Sequence, residues 1–220
     1  MAKFVAGKHG LSKDYMSLQK DWGKWVVPKI EAVEAFENEL SKMSARLAGK
    51  TTLLSSVTDP YQPAEAKYKL TQQILKTWAK VNPQCAKLEI LTRSALVLRD
   101  IDLLAKINNL TIGMSISVLP KQNFREIEPY SPDIKVRINT LHKLKQVGIN
   151  VYAFVAPVWP GEVKNLLQVV ENLQKFKIPV KYIELLNKIS CRQFKVDFSQ
   201  EELEGLHKIA KGVGALLIHH

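Results

Sequence analysis

The sequence predicts an α/β protein built around a parallel β-sheet. Short apolar runs of strand length alternate, along the 220 residues, with longer segments whose apolar residues recur at helix spacing. Strand–helix units repeated in this order form parallel sheets. The order is compatible with an open barrel related to the TIM barrel or with a doubly wound sheet. In both, functional residues lie at the carboxyl ends of the strands.

Five segments have the character of buried strands. The third is the clearest, because Leu110, Ile112 and Met114 alternate with small or polar residues and so occupy one face of a pleated strand. The other four are shorter apolar runs that precede helical segments. The predicted strands are 52–57, 88–91, 110–118, 150–155 and 180–186.

Six amphipathic segments predict helices. The last has the clearest beginning, because Ser199 and Glu202 have the spacing of a capping box. Segment 120–133 contains three prolines and no periodicity, so we predict a loop there. The predicted helices are 30–47, 63–81, 96–107, 135–147, 162–176 and 199–209.

Composition narrows the class of protein. Hydrophobic residues make up 46% of the chain and charged residues 24%, which is typical of a globular protein. The two cysteines are too few for a disulfide framework, and the amino terminus does not resemble a signal peptide. We therefore expect a cytoplasmic protein. No histidine has the spacing of a metal ligand, so the residues themselves predict no metal site.

The net charge of +11 makes nucleic acid a candidate partner. The lysines and arginines are dispersed along the sequence, without a block of five or six and without interleaved aromatic residues. A lysine-rich surface exposed to solvent explains the same composition. The apolar runs are too short to span a membrane, since a spanning helix needs roughly 20 apolar residues. We therefore expect no membrane association.

Polar residues recur where the predicted strands end, so we expect them to meet at one rim of the sheet. An arginine beside hydroxyls and an acid can bind a small ligand that carries a carboxylate. Each residue also has a plainer explanation: Asp59 can begin a turn before Pro60, and Arg93 can pair at the surface with Asp100 or Glu89. The strand-end residues are Thr58, Asp59, Thr92, Arg93, Ser94, Ser115, Ser117, Ala156, Pro157, Glu184 and Asn187.

Several of these segments resemble one enzyme family when read in order. The segment Thr58-Asp59-Pro60-Tyr61-Gln62-Pro63, with Glu65, is similar to the motif that follows a strand in radical SAM proteins related to spore photoproduct lyase. The next units of that family resemble Leu91-Thr92-Arg93-Ser94, Met114-Ser115-Ile116-Ser117, Glu126-Ile127-Glu128-Pro129 with Arg137, and Val155-Ala156-Pro157. The resemblance extends from about Trp22 to about Glu184.

The resemblance implies a partial (β/α)6 barrel that binds S-adenosylmethionine beside a [4Fe–4S] cluster. In complete relatives, reductive cleavage of that cofactor gives a 5′-deoxyadenosyl radical. Arg93 falls where the family usually has a lysine near the methionyl carboxylate, and arginine keeps the charge. The cofactor-binding residues implied here are Thr58, Asp59, Arg93, Ser115 and Ala156.

The chain departs from the family at the cluster. Three closely spaced cysteines normally hold the iron, whereas Cys85 and Cys191 stand alone and far apart. We therefore expect a barrel that lacks the first strand and the cluster loop, with residues 1–23 as a poorly ordered segment and 24–220 as the domain. A partner chain or a missing amino-terminal segment would then supply the cluster, and this chain alone would be inactive.

Two other functions are compatible with the residues. The first is a non-catalytic module that binds S-adenosylmethionine, a nucleotide or nucleic acid. The second is a barrel enzyme without metal, for which Asp59 and Glu184 are the candidate acid and base at the strand ends.

Overall fold

A computed structural model describes residues 28–54, 57–83 and 86–219. Within these ranges, six parallel strands form a single sheet in which each strand pairs with the next one along the chain. The strands are β1 (Thr51–Leu54), β2 (Lys87–Thr92), β3 (Leu110–Val118), β4 (Asn150–Val158), β5 (Val180–Leu185) and β6 (Leu216–Ile218).

The strand order distinguishes between the two predicted architectures. In a doubly wound sheet the strand order starts at a central strand and proceeds first to one edge and then to the other. In this sheet the strands lie in their sequence order, from β1 at one edge to β6 at the other. The protein is therefore an α/β partial barrel. The first 27 residues, which include the predicted segment 1–23, lie outside the described residues.

Helices connect successive strands. The α-helices are α1 (Ala32–Met43), α2 (Glu65–Tyr68), α3 (Leu70–Val81), α4 (Ile101–Leu104), α5 (Phe124–Ile127), α6 (Ile134–Gln146), α7 (Val163–Lys175), α8 (Lys188–Phe194) and α9 (Gln200–Val213). Two 3₁₀ helices, Ser44–Leu47 and Ala95–Asp100, complete the described elements. None of the helices in the described ranges is long and apolar enough to cross a membrane.

Most elements agree with the pattern of the sequence, and the exceptions have local causes. The predicted helix 63–81 divides at Lys69, whose φ of 52° is left-handed and ends α2. The Glu65 carboxylate then accepts hydrogen bonds from the backbone N–H groups of Thr71 and Gln72, at the start of α3. The predicted helix 96–107 is a 3₁₀ turn followed by α4, and the predicted loop 120–133 contains α5.

The two faces of β3 have different surroundings. Ile112, Met114 and Ile116 are fully buried, and the strand packs on α6. On the other face, Gly113 lies directly beneath the ring of Tyr152, whose hydroxyl donates a hydrogen bond to Glu89 at 2.6 Å. Burial and this bond to Glu89 raise the pKa of the Tyr152 phenol well above its usual value. A residue with a side chain at position 113 would overlap the Tyr152 ring, so the close approach of this ring to β3 requires glycine.

Gly113→Ala should destabilise the protein by about 1–3 kcal/mol, because an added Cβ would overlap the Tyr152 ring. Gly212→Ala is the matched control: Gly212 lies in α9 with open space around its Cα, so alanine should be neutral or stabilise by up to about 1 kcal/mol. Urea unfolding of both variants measures the difference. Equal stability of the two variants would contradict the close approach.

Candidate functional site

A cavity of about 530 Å³ opens at the carboxyl ends of β1 to β5. All five residues singled out by the sequence, Thr58, Asp59, Arg93, Ser115 and Ala156, line it. Glu184 and Asn187 line its other side, as the strand-end argument predicts, together with Ser190 of α8. Nine of the eleven strand-end residues therefore converge in this lining, and the volume is within the range of small-molecule sites.

Two of the strand-end residues have other surroundings. The Ser94 hydroxyl accepts a hydrogen bond from the Leu96 N–H and caps the 3₁₀ helix after β2. Ser117 is fully buried beneath the rim, where its hydroxyl donates to Glu128. Both serines therefore stabilise the rim without lining the cavity.

Asp59 connects the ends of two strands. One carboxylate oxygen accepts hydrogen bonds from the Tyr61 N–H at 2.8 Å and the Thr92 hydroxyl at 2.6 Å, and the other accepts from the Arg93 N–H at 2.8 Å. Asp59 thus begins the turn before Pro60 and also binds the end of β2. Because three protein donors already bind this carboxylate, it is poorly suited to act as a general base.

Arg93 pairs with neither of the acids suggested by the sequence. Its Nη1 donates to Glu128 at 2.9 Å, so the predicted pairing with Asp100 or Glu89 is wrong. The reason is tertiary: the segment after β3 folds back and places Glu128 beside the end of β2. About half of the Arg93 side chain, 47%, remains exposed, at the edge of the cavity.

Glu128 is the centre of a buried polar cluster that the sequence did not reveal. Its carboxylate accepts hydrogen bonds from Arg93, from the Ser117 hydroxyl at 2.5 Å and from the fully buried guanidinium of Arg137. Arg137 also donates to the carbonyls of Pro132 at 2.8 Å and Ser115 at 3.1 Å. The cluster therefore holds the end of β3 and the segment before α6 in one arrangement.

The charge of Glu128 is maintained despite its burial. Burial by itself would raise the pKa of this carboxyl, but Arg137, Ser117 and Arg93 together hold the pKa below its usual value. Two arginines surround one carboxylate, so the cluster has an excess of one positive charge. The exposed edge of Arg93 presents that charge to the cavity, where an anionic group can bind.

A second cluster joins Tyr61 and Glu65, which belong to the first segment that resembles the family, to Arg99 and Asp100. Arg99 donates to the Glu65 carboxylate at 2.8 Å and to both oxygens of Asp100, at 2.7 and 2.9 Å. Tyr61 and Gln72 also donate to Asp100, at 3.2 and 2.5 Å. Burial opposes ionisation, yet Arg99 and Gln72 hold the pKa of Asp100 below its usual value. The residues of this cluster hold the connections at the rim and do not line the cavity.

The lining of the cavity varies from one side to the other. Arg93 lies at the end of β2 and Glu184 near the end of β5, with the apolar side chains of Leu91 and Phe154 also in the lining. A ligand that suits this lining would have an anionic group for Arg93 and an apolar or aromatic part.

The described residues do not fit an iron–sulfur cluster. They contain no group of three or more His, Cys, Asp or Glu side chains arranged to hold a metal ion. Cys191 is buried in a small apolar cluster with its Sγ 3.4 Å from the Leu186 carbonyl, and burial raises the pKa of its thiol. Cys85 lies outside the described residues. Cluster ligation needs several thiolates together.

Comparison with known proteins gives relatives without an assigned activity. The chain is 36% identical over 176 residues to an uncharacterized protein of Methanocaldococcus jannaschii. The match covers 79% of this chain and 62% of that protein, so this chain corresponds to less than two thirds of its relative. No family model matches the sequence.

Solved structures show a shared fold at low sequence identity. Spore photoproduct lyase complexed with dinucleoside spore photoproduct superimposes with a TM-score of 0.60 at 12% identity, over 86% of this chain and 67% of that chain. SuiB of Streptococcus suis bound to S-adenosylmethionine gives a TM-score of 0.57 at 14% identity, over 86% of this chain and 43% of that chain. The partial barrel is therefore the fold of these two proteins.

Acid should destabilise the protein through the buried carboxylates. The pKa values of Glu128 and Asp100 are lower in the folded than in the unfolded state, so their stabilisation is complete at neutral pH and is lost as the pH falls through the folded values. We expect the free energy of unfolding to decrease below about pH 5, near the unfolded pKa values. Urea titrations between neutral and acidic pH measure this dependence.

Glu128→Gln should lower the stability at neutral pH by about 3 kcal/mol, because it leaves Arg137 buried without its counter-ion, and should flatten the pH dependence. Asp133→Asn is the control, since Asp133 forms an exposed pair with Arg125 and should change stability by less than about 1 kcal/mol. A pH dependence as steep in Glu128→Gln as in the unmodified protein would contradict this assignment.

Proposed function

We propose that this chain is the S-adenosylmethionine-binding part of a radical SAM protein related to spore photoproduct lyase. One observation carries the proposal: the five residues that the family resemblance assigned to the cofactor, which are separated by almost a hundred positions in sequence, line the same cavity. The shared fold supports it, because SuiB, which has this partial barrel, is described as bound to S-adenosylmethionine.

Arg93 would bind the methionyl carboxylate of the cofactor. Among the described residues, the Arg93 guanidinium contacts one acid, Glu128, through Nη1. The rest of the guanidinium is available at the cavity. A guanidinium can bind a carboxylate through two parallel hydrogen bonds. The Asp59 contact with the Arg93 backbone and the Glu128 contact with its side chain fix the direction of this group before ligand arrives.

Ser115 and Ala156 would contact the remainder of the cofactor. The Ser115 hydroxyl lies 3.4 Å from the Ala156 carbonyl oxygen, so the two residues present adjacent polar groups on neighbouring strands. Thr58 adds a hydroxyl to the same lining. The sulfonium cofactor contains hydroxyl, amine and carboxylate groups that such atoms can bind.

The proposal concerns binding of the cofactor. A [4Fe–4S] cluster would supply the electron for reductive cleavage in complete relatives, but the described residues offer no thiolate set for it. Thiolates from outside the described residues, in this or another chain, would have to complete the centre. The lack of a thiolate set here favours a second candidate, a non-catalytic module that binds S-adenosylmethionine or a nucleotide.

Calorimetric titration with S-adenosylmethionine tests the proposal. Arg93→Met should weaken binding about 10- to 100-fold, because it removes a charged hydrogen-bond donor to the carboxylate. Arg46→Met is the matched control, since Arg46 is an exposed arginine in the 3₁₀ helix before β1. It should leave the affinity unchanged.

Methylthioadenosine sharpens the experiment, because it lacks the amino acid part of the cofactor. Its affinity should be the same for the unmodified protein and for Arg93→Met. Absence of S-adenosylmethionine binding, or an equal loss for both ligands, would contradict the assignment of Arg93. Anaerobic reconstitution with iron and sulfide then tests the chain's own thiolates: about four irons per chain would show that this chain holds a cluster itself and would exclude the non-catalytic candidate.

A further inference from the structure

The amino-terminal edge of the sheet, opposite the cavity, forms a continuous surface. The Lys87 N–H bonds the Lys50 carbonyl, which joins the segments that precede β1 and β2. The Leu88 N–H bonds the Asn109 carbonyl, which joins the segments before β2 and β3. Further along, Lys145 donates through Nζ to the carbonyl of Lys177 and so connects the segments before β4 and β5.

This surface is strongly basic. We define the basic edge as residues 48–50, 82–83 with 86–87, 105–109, 145–150, 175–181 and 211–215, which are the described residues at the start of each of the six strands. By sequence these segments contain eight lysines and no aspartate or glutamate, in a chain whose net charge is +11. One of the eight, Lys181, pairs with Glu89 of β2 at 3.4 Å. Each segment contributes at least one of Lys50, Lys87, Lys106, Lys145, Lys177 and Lys211.

Helix stability explains part of this charge. Lysines in the last turn of a helix interact favourably with its carboxyl-terminal dipole, which accounts for Lys145, Lys175 and Lys211. Lys50, Lys87 and Lys106 are exposed residues outside helices, and the dipole gives no reason for them. Nor does it explain why every segment lacks an acid, since acidic residues are common in surface connections.

A polar hollow lies in the middle of the basic edge. It has a volume of about 180 Å³ and is formed by the connections that precede β3 and β4. Three asparagines, Asn108, Asn109 and Asn150, contribute to its lining, and Lys106 is exposed in the same connection. Amide groups beside lysines suit the phosphate and sugar groups of a polynucleotide backbone.

We propose that the basic edge binds nucleic acid through its phosphate backbone. Parallel strands are about 5 Å apart, so the six entering segments place their lysines in a row that can follow a polyanion. An anionic membrane is a less suitable partner, because membrane binding also needs several exposed apolar side chains. Among the described residues of the basic edge, Val147 is the one large apolar side chain with high exposure. Because contacts to phosphates carry no sequence information, we expect this binding to be independent of nucleotide sequence.

Fluorescence anisotropy of labelled single-stranded and duplex oligonucleotides, measured at increasing salt, tests the proposal. Each phosphate contact contributes about −0.7 to the slope of log affinity against log salt for single strands, and about −0.9 for duplexes. The triple variant Lys50→Gln/Lys87→Gln/Lys106→Gln should therefore make the slope shallower by about two to three, and lower the affinity about tenfold or more.

The matched control is Lys67→Gln/Lys121→Gln/Lys188→Gln, which removes the same charge from exposed lysines in connections that follow strands. It should change the slope and the affinity little. An equal effect of both triple variants, or binding to phosphatidylserine vesicles without binding to oligonucleotides, would overturn the proposal. Arg93→Met should bind oligonucleotides normally, so this outcome does not depend on the cavity and its cofactor.

Discussion

The carboxylate of Glu128 is the group on which the geometry of the rim depends. It is buried and charged, and burying such a group is costly unless it is paired with an opposite charge and hydrogen-bonded. Those donors come from three places along the chain: Arg93 after β2, Ser117 on β3 and Arg137 on α6. Because one carboxylate needs all three, the connections on either side of β3 are fixed relative to one another and to the cavity.

Asp59 and Asp100 extend the same principle along the rim. Asp59 binds the backbone at the end of β2, and Asp100 joins Arg99 to Tyr61 and Gln72. Most acids of this rim therefore stabilise connections between strands. The segments by which the sequence resembles a family thus include many residues whose role is to hold the loops.

The sequence predicted the parts of the fold that depend on local pattern. Alternation gave the bounds of β3, and repeated strand–helix units indicated a parallel sheet, but local pattern alone could not choose between an open barrel and a doubly wound sheet. The three residues of β6 are too few to show alternation, and α8 is mostly polar and exposed. The strand-end argument placed the cavity-lining residues together. It could not identify Glu128 as the partner of Arg93, because 35 residues separate them and only the folded connection brings them together.

The length of the strands separates the two surfaces of the molecule. β3 and β4 have nine residues each, which corresponds to about 30 Å at the rise of a parallel strand. The cavity lies at one end of this distance and the lysine row at the other. A polynucleotide lying along the lysines would therefore leave the cavity pointing away from it. The stretch of polynucleotide whose phosphates bind the lysines could not also enter the cavity. A ligand in the cavity would have to be a different stretch of the same polynucleotide, or a different molecule.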